Sequence, residues 1–585
     1  MTSQQTPDLI LHGGLITTLD RSNPGAEAVA IKDGRFLQVG PMHDIIPLAG
    51  AVTRRLDLHG RRVLPGLIDN HLHFIRGGLN FNMELRWDGI RSLADAMDLL
   101  KQQVAITPPP QWVRVVGGFS AHQFAEKRLP DIAELNALAP DTPVFLLHLY
   151  DRALLNAAAL RAVGYTKDTT APPGGEIVRD AQGNPTGLLL AKPNAAILYA
   201  TLARGPKLPF EYQLNSTRHF MRELNRLGVT GAIDAGGGYQ NYPDDYAVIQ
   251  KLASDGQLTL RLAYNLFTQK PKAEREDFLY WTRTSRYQQG DDYFRHNGAG
   301  EMLVFSAADF EDFRVPRPDM PPEMEAELEA VIRVLAQNRW PWRLHATYDE
   351  TISRALSTFE KVNREIPLQG LHWFFDHAET ISDQSMDRIA ALGGGIAVQH
   401  RMAYQGEYFV ERYGGAAAEA TPPIAKMLSR GIKVSAGMWT EQVTWFSNEE
   451  GKKGHIAPGQ LADLVVSDRD FFACAEEEIA DISSVLTIVG GRIVYAAAEF
   501  ARLDETPPPP AMPDWSPVRI YGGYGAWANE KGHSGANKIE TASNIGSVGH
   551  CAVHGHSHAA ACSPRLPMDD LKSFWGALGC ACWAF

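Results

Sequence analysis

The segment Leu64-Pro65-Gly66-Leu67-Ile68-Asp69-Asn70-His71-Leu72-His73-Phe74 decides how the chain is read. A Pro-Gly turn releases a short apolar run that reads as a strand. Alternate side chains of a strand share a face, so His71 and His73 point the same way at its end. Two imidazoles on one face are half of a metal site. The same spacing also occurs on a wet strand face, so the pair needs support from elsewhere. It comes from histidines that close later strand-like runs, His345 in 342–345 (WRLH) and His377 in 371–377 (LHWFFDH).

Working outward, apolar strand-like runs alternate with amphipathic helical stretches. Examples are 143–148 (PVFLLH) followed by 154–163, and 229–234 (VTGAID) followed by 245–253. Later units end at His345, His377, His400 in 395–400 (GIAVQH) and Gly437 in 431–437 (GIKVSAG). Such alternation signals βα units around a parallel sheet, and a closed (β/α)8 TIM-like barrel needs roughly 250 residues, or more than 400 with long loops. Residues 67–451 are assigned to this α/β barrel.

On either side the style changes to short strands without helical periods. Residues 9–19, 28–40 and 55–64, with an Asp33-Gly34 hairpin turn, resemble 462–468, 485–491 and 492–495. Residues 1–66 and 452–503 are therefore expected to pair into one composite β-sandwich, with the barrel inserted between its halves. From 504 to 585 the chain reads as a proline-rich linker (506–511, TPPPPA) and a Cys/His-rich C-terminal tail.

The 585 residues carry a formal charge of −12, with 44% hydrophobic and 21% charged residues, as expected of a large globular chain. The acidic balance and the lack of a dense Lys/Arg run argue against a nucleic-acid partner. No basic, apolar leader opens the sequence and no segment approaches about 18 unbroken apolar residues, so a cytoplasmic protein without a membrane partner is expected. A small-molecule substrate fits this balance, and a homo-oligomer is compatible with it. Four of the five cysteines (Cys551, Cys562, Cys580, Cys582) lie at the end and Cys474 stands alone, so the body has no disulfide framework.

A divalent metal that activates water needs neutral nitrogen or carboxylate ligands and one open position. His71, His73, His345 and His377 supply four imidazoles from three strand ends. Either His345 or His377 alone reads better as a satisfied core histidine. All four at matching strand ends read as ligands. Other polar residues at strand ends, His148, Asp234, Gln399, His400 and Arg401, are substrate-binding candidates, with His148, Asp234 and His400 put forward. The tail holds Cys551, His554, His556, His558, Cys562, Cys580 and Cys582. Thiolates beside imidazoles suit zinc or Cu(I), yet the spacing fits no standard zinc module, and a solvated tail is the other reading.

These segments together resemble amidohydrolase family 3, in its YtcJ-like branch, from about Asp8 to Asp504. The resemblance rests on 65–73 (PGLIDNHLH), 128–131 (RLPD), 143–148 with Asn156, 187–189 (GLL), His345-Ala346, His377-Ala378-Glu379 and 454–466 (GHIAPGQLADLVV). It implies a composite β-sandwich with a (β/α)8 barrel that hydrolyses C–N bonds other than peptide bonds, using bound zinc or a similar divalent metal. Members of the superfamily often add a bridging ligand, sometimes a carboxylated lysine, and Lys192 is the candidate here; an ordinary lysine beside a hairpin is the alternative.

The departure from the family is equally informative. Strand eight in these enzymes runs into an aspartate that binds metal and acts as the general base, followed by a long loop and the last helix. Here 434–437 (VSAG) passes straight into 438–447 (MWTEQVTWFS), which reads as that helix, and no aspartate lies between Lys433 and Asp463. Glu441 is the nearest acid but would sit a full turn into a helix. The expectation is therefore a hydrolase weakened by loss of this acid, or else a non-catalytic metal-binding protein that keeps the fold.

Overall fold

Eight parallel strands follow one another around the largest sheet, and we label them β1 (Leu67–Leu72), β2 (Val229–Asp234), β3 (Arg261–Leu266), β4 (Phe294–Ala299), β5 (Trp342–Ala346), β6 (Trp373–His377), β7 (Gly395–Val398) and β8 (Lys433–Ala436). The structure is a computed structural model that describes residues 6–172, 174–192, 195–237, 240–399, 401–505 and 507–524. Chain order equals sheet order, the arrangement of a (β/α)8 barrel. A two-residue strand, Met438–Trp439, runs antiparallel to β1, with Met438 opposite Asp69 and Trp439 opposite Ile68. The Asn70 amide donates to the Gly437 carbonyl at 3.3 Å beside it. This strand bridges β8 to β1.

One interior layer of the barrel is apolar: Ile68, Ile233, Ala263, Phe374 and Ala397 form one cluster with Val443, Trp445 and Phe446. The polar strand β4 is fastened to the same plug. Arg295 meets Glu449 at 3.1 Å, Glu449 meets Lys453 at 2.6 Å, and Asn297 donates to the Phe446 carbonyl at 3.0 Å. The segment after Gly437, expected as one helix over 438–447, is instead this short strand and a single helical turn, Val443–Phe446. The edge of β1 offers unpaired backbone groups that residues 438–439 satisfy.

Segments on either side of the barrel share one further sheet. The strand Arg62–Pro65 pairs with Leu9–Thr17 on one side and with Leu464–Ser467 on the other. Leu11, Val29, Val63, Leu464, Val466 and Ile488 are buried in one core there. Asp463 ties this sheet to the barrel through a bidentate pair with Arg261 at 2.7 and 3.0 Å. Gly66, at the passage from sheet to barrel, must be glycine because a side chain would collide with Thr230.

The run 143–163 is not a barrel unit. Between β1 and β2 the chain builds a separate six-stranded sheet, ordered Gly175–Arg179, Pro185–Ala191, Arg152–Leu155, Val144–His148, Val113–Val115 and Glu84–Leu85. Its central strands are buried, with Val144, Leu146 and Leu154 packing on Trp87, Phe119 and Phe124. A strand buried on both faces is continuously apolar whether it belongs to a barrel or to an inserted sheet, and the sequence carries no sign of the difference.

The residues read as a stiff linker are laid against the body. Asn215 and Asn82 donate to the carbonyls of Pro510 and Met512 at 3.2 and 3.0 Å. Gln103 donates to the Trp515 carbonyl at 2.9 Å, and the Tyr524 hydroxyl accepts from Arg86 at 2.9 Å. Backbone carbonyls that find side-chain donors turn a spacer into a strap. No helix among the described residues is long and apolar enough to cross a membrane.

Candidate active site

Four imidazoles from three strands meet around one carboxylate. Glu301, just beyond β4, places Oε1 3.1 Å from His73 Nε2. Its Oε2 lies 3.5 Å from His71 Nε2, 3.3 Å from His345 Nδ1 and 3.6 Å from His377 Nε2. Ring centroids stand 4.8 Å apart for His71 and His377 and 4.3 Å apart for His345 and His377. All five side chains are buried. β1 delivers His71 and His73, β5 delivers His345 and β6 delivers His377, each at or just past the carboxyl end of its strand, the face where barrels gather their chemistry.

The electrostatics favour neutral nitrogen donors. Burial pushes His71 well below its ordinary value and lowers His73, and burial together with the His345 charge brings His377 to about 3. Burial also works against a His345 cation, but the Glu301 carboxylate outweighs it and leaves His345 above its ordinary value. Burial opposes the Glu301 anion in turn, and the surrounding imidazoles hold it well below the usual carboxylate range. The cluster thus concentrates one negative charge among rings with available lone pairs.

Behind the rings lies a supporting layer. Arg343, also on β5, grips Asp376 with two bonds at 2.7 and 2.5 Å, and His71 Nδ1 lies 3.1 Å from Asp376 and 2.7 Å from Arg343. Such partners at the far nitrogen orient a ligating ring. Asp309 accepts from the Thr347 and Tyr348 amides at 3.0 Å and faces His345 Nε2 at 3.5 Å, while burial pushes it to about 6. Glu379 is buried, neither of its oxygens has a hydrogen-bond partner among the described residues, and burial pushes it to about 8. His377 and Ala378 both have positive φ, 79° and 58°. Two consecutive non-glycine residues in the left-handed region are costly, and here they turn the end of β6 so that His377 reaches Glu301.

His71, Glu301 and His377 each present a donor atom within 4.8 Å of the others. Among the described residues, His377 has no hydrogen-bond partner at either ring nitrogen, and neither has His73 Nδ1. Buried polar atoms without partners are uncommon, and nitrogen lone pairs around a carboxylate are the donor set a divalent cation takes. The residues fit a metal.

Several sequence expectations need correction. Lys192 is not at this centre: it follows the strand Pro185–Ala191 of the inserted sheet, is 59% exposed and ion-pairs with Glu176. The central acid is Glu301, missed because β4 (FRHNGA) is polar and glycine-bearing and does not read as a barrel strand. His148 also belongs to the inserted sheet, bonded to Asp151 at 2.6 Å, with Tyr408 hydroxyl 3.5 Å from its other nitrogen. Asp234 ends β2 and accepts from the Gly236 and Ile75 amides at 3.0 and 3.4 Å, which is a backbone-holding role. Gln399 accepts from Arg401 at 2.8 Å, and Arg401 pairs with Glu311 and stacks over Tyr150. Glu441 lies 3.5 Å from His455 and is partly exposed. His400 lies outside the described residues, as do Cys551, His554, His556, His558, Cys562, Cys580 and Cys582.

The sequence model of the amidohydrolase family matches residues 54–438 and 435–495. The chain belongs to the amidohydrolase family. This amidohydrolase is 24% identical over 538 residues to the putative amidohydrolase YtcJ of Bacillus subtilis, covering 83% of this chain and 99% of that one. It is also 24% identical over 548 residues to an N-substituted formamide deformylase of Arthrobacter pascens, covering 84% and 99%. Among solved structures, an uncharacterized metal-dependent hydrolase from Pyrococcus furiosus superposes with a TM-score of 0.57 at 17% identity, covering 79% of this amidohydrolase and 99% of that chain. That likeness concerns the fold.

Proposed function

We propose that this protein hydrolyses a C–N bond of a small-molecule amide, of the N-acyl or N-formyl type, with a divalent metal, zinc by preference, held by His71, His73, His345, His377 and Glu301. The observation that carries the reading is the convergence of four buried imidazoles on the Glu301 carboxylate. When bound, the metal supplies Lewis-acid polarisation of the carbonyl and lowers the pKa of water.

The chain's own residues do the rest. Burial keeps His71, His73 and His377 neutral, which leaves nitrogen lone pairs available at neutral pH. The Arg343–Asp376 pair holds His71 from behind, and Asp309 does the same for His345. Glu379, pushed to about 8, keeps its proton at neutral pH and adds no further charge beside His377.

A specific observation favours a weakened enzyme. β8 ends at Ala436 and Gly437 follows it, and the two matched pieces of the family overlap at residues 435–438, where the sequence carries no aspartate. A positioned base is worth about 10²- to 10⁴-fold in rate, so turnover is expected below the ordinary range of about 1 to 10³ per second. The test is release of free amine from a panel of N-acyl and N-formyl amines by metal-loaded protein. Slow, metal-dependent release supports the proposal. Stoichiometric metal with no release from any member of the panel would instead make this a metal-binding protein that keeps the fold.

A further inference from the structure

A cavity of about 190 Å³ opens beside the cluster, with His73 and Glu301 in its wall. An apolar cavity of about 150 Å³ takes one benzene ring. The space beside the cluster therefore suits a single ring on a short linker and is tight for a fused pair of rings.

The loop after β4 builds the cluster and this wall together. Residues 301–310 carry Glu301, around which the imidazoles gather, and Asp309, which faces His345 Nε2 at 3.5 Å. They also carry three apolar side chains of the cavity, Met302, Phe305 and Phe310. Phe310 is half-buried, with its ring centroid 4.6 Å from that of His345 and stacked on Tyr150 at 5.6 Å. It thus stands between the reacting centre and the inserted sheet. Phe267, just past β3, adds a further ring to the wall.

The polar groups of the wall have partners within the protein. The Thr268 hydroxyl donates to Asp277 at 3.0 Å, and the Gln269 side chain bonds the Phe267 carbonyl and the Tyr242 amide at 3.3 and 3.1 Å. The Gln240 side chain bonds the Gly237 carbonyl and the Arg76 backbone amide. Tyr199 and Tyr150 are hydrogen-bonded to each other, and the Arg76 guanidinium is engaged within the protein, 4.2 Å over the Tyr199 ring. Aromatic and thioether surface is what such a wall offers an occupant. A charged group entering it would give up its water for little in return, whereas an apolar ring gains by leaving water.

Resting on the hydrolase reading, we infer that this cavity is the specificity subsite: it receives an uncharged apolar group of one-ring size next to the scissile amide, and Phe310 determines the fit. A ring lying against Phe310 keeps its attached amide beside His345 and Glu301. Phe310 acts through binding and takes no part in bond cleavage.

The experiment follows binding to metal-loaded protein by calorimetry and amine release in parallel. The probe is N-acetylphenethylamine, compared with the ringless N-acetylethylamine, the carboxylate-bearing N-acetylphenylalanine and the naphthyl counterpart of the probe. Wild type should bind the probe at least about tenfold more tightly than the ringless compound, the factor that burial of one ring supplies, and more tightly than the other two. Phe310→Ala should lose most of the preference for a ring over none and narrow or reverse the order of phenyl and naphthyl. That relative gain for the larger ring is not a result that damage to the fold would give, and metal content is checked because Phe310 packs on His345. Wild type binding any of the three comparison compounds as tightly as the probe would overturn the inference, as would an unchanged order in metal-loaded Phe310→Ala. The expected order of binding without amine release would count against the hydrolase reading while leaving the subsite intact.

Discussion

Glu301 Oε1 lies 3.1 Å from His73 Nε2, joining the loop after β4 to the end of β1. The other oxygen of the same carboxylate faces His71, His345 and His377, so one side chain holds together donors from three strands. A buried carboxylate without these partners would cost several kcal/mol, and the rings without it would lose the one carboxylate that all four share.

The placement of Lys192 gives a negative prediction. Its exposed side chain pairs with Glu176 on the inserted sheet, so Lys192→Ala should leave metal affinity unchanged to within about twofold. Metal retained against graded chelator measures this. A loss of tenfold or more would return Lys192 to the metal site.

Gly437 follows β8, where the resemblance to the family leads one to expect an acid, and its φ is 48°. Aspartate tolerates the left-handed region better than most residues, so Gly437→Asp is a feasible replacement. It should raise kcat/KM for N-acyl hydrolysis by at least about tenfold, the low side of what a positioned base supplies. An unchanged rate in a folded, metal-loaded variant would mean that the missing acid does not limit turnover.

Asp234 predicts a pH dependence. Burial pushes its carboxyl from 3.8 to about 7, with the Gly236 and Ile75 amides offsetting part of the effect. A folded-state value above the unfolded one gives a contribution that is fully present below about pH 4 and lost as pH rises through about 7. Asp234→Asn does not titrate. The stability of wild type minus that of the variant should therefore fall by about 1 kcal/mol or more between pH 4 and pH 8. Urea midpoints across that range test it, and a difference independent of pH would contradict the assignment.

How far the sequence could be read follows from where its side chains point. β5 and β6 are apolar runs that end in histidine, and the Pro-Gly turn before β1 fixes the face of His71 and His73, so these were legible. β4 was not, because Arg295 and Asn297 bond the plug at Ser447 and Phe446 and its outer residue His296 bonds backbone. Glu301 was hidden with it. The strand Val144–His148 misled for the opposite reason, since an inserted sheet covered on both faces is as apolar as a barrel strand. The absence of an acid after β8 was visible in the sequence, whereas the antiparallel pairing of 438–439 with β1 depends on an edge that only the folded barrel creates.

The central claim is that Glu301 and the four histidines hold a divalent metal, and elemental analysis of zinc-loaded, dialysed protein tests it most directly. Wild type should retain stoichiometric zinc. Glu301→Gln, which is nearly isosteric but removes the charge, should fold to the same circular dichroism spectrum and bind zinc at least about tenfold more weakly. Folded wild-type protein that retains no zinc, or a Glu301→Gln variant that binds it as tightly as wild type, would contradict the account.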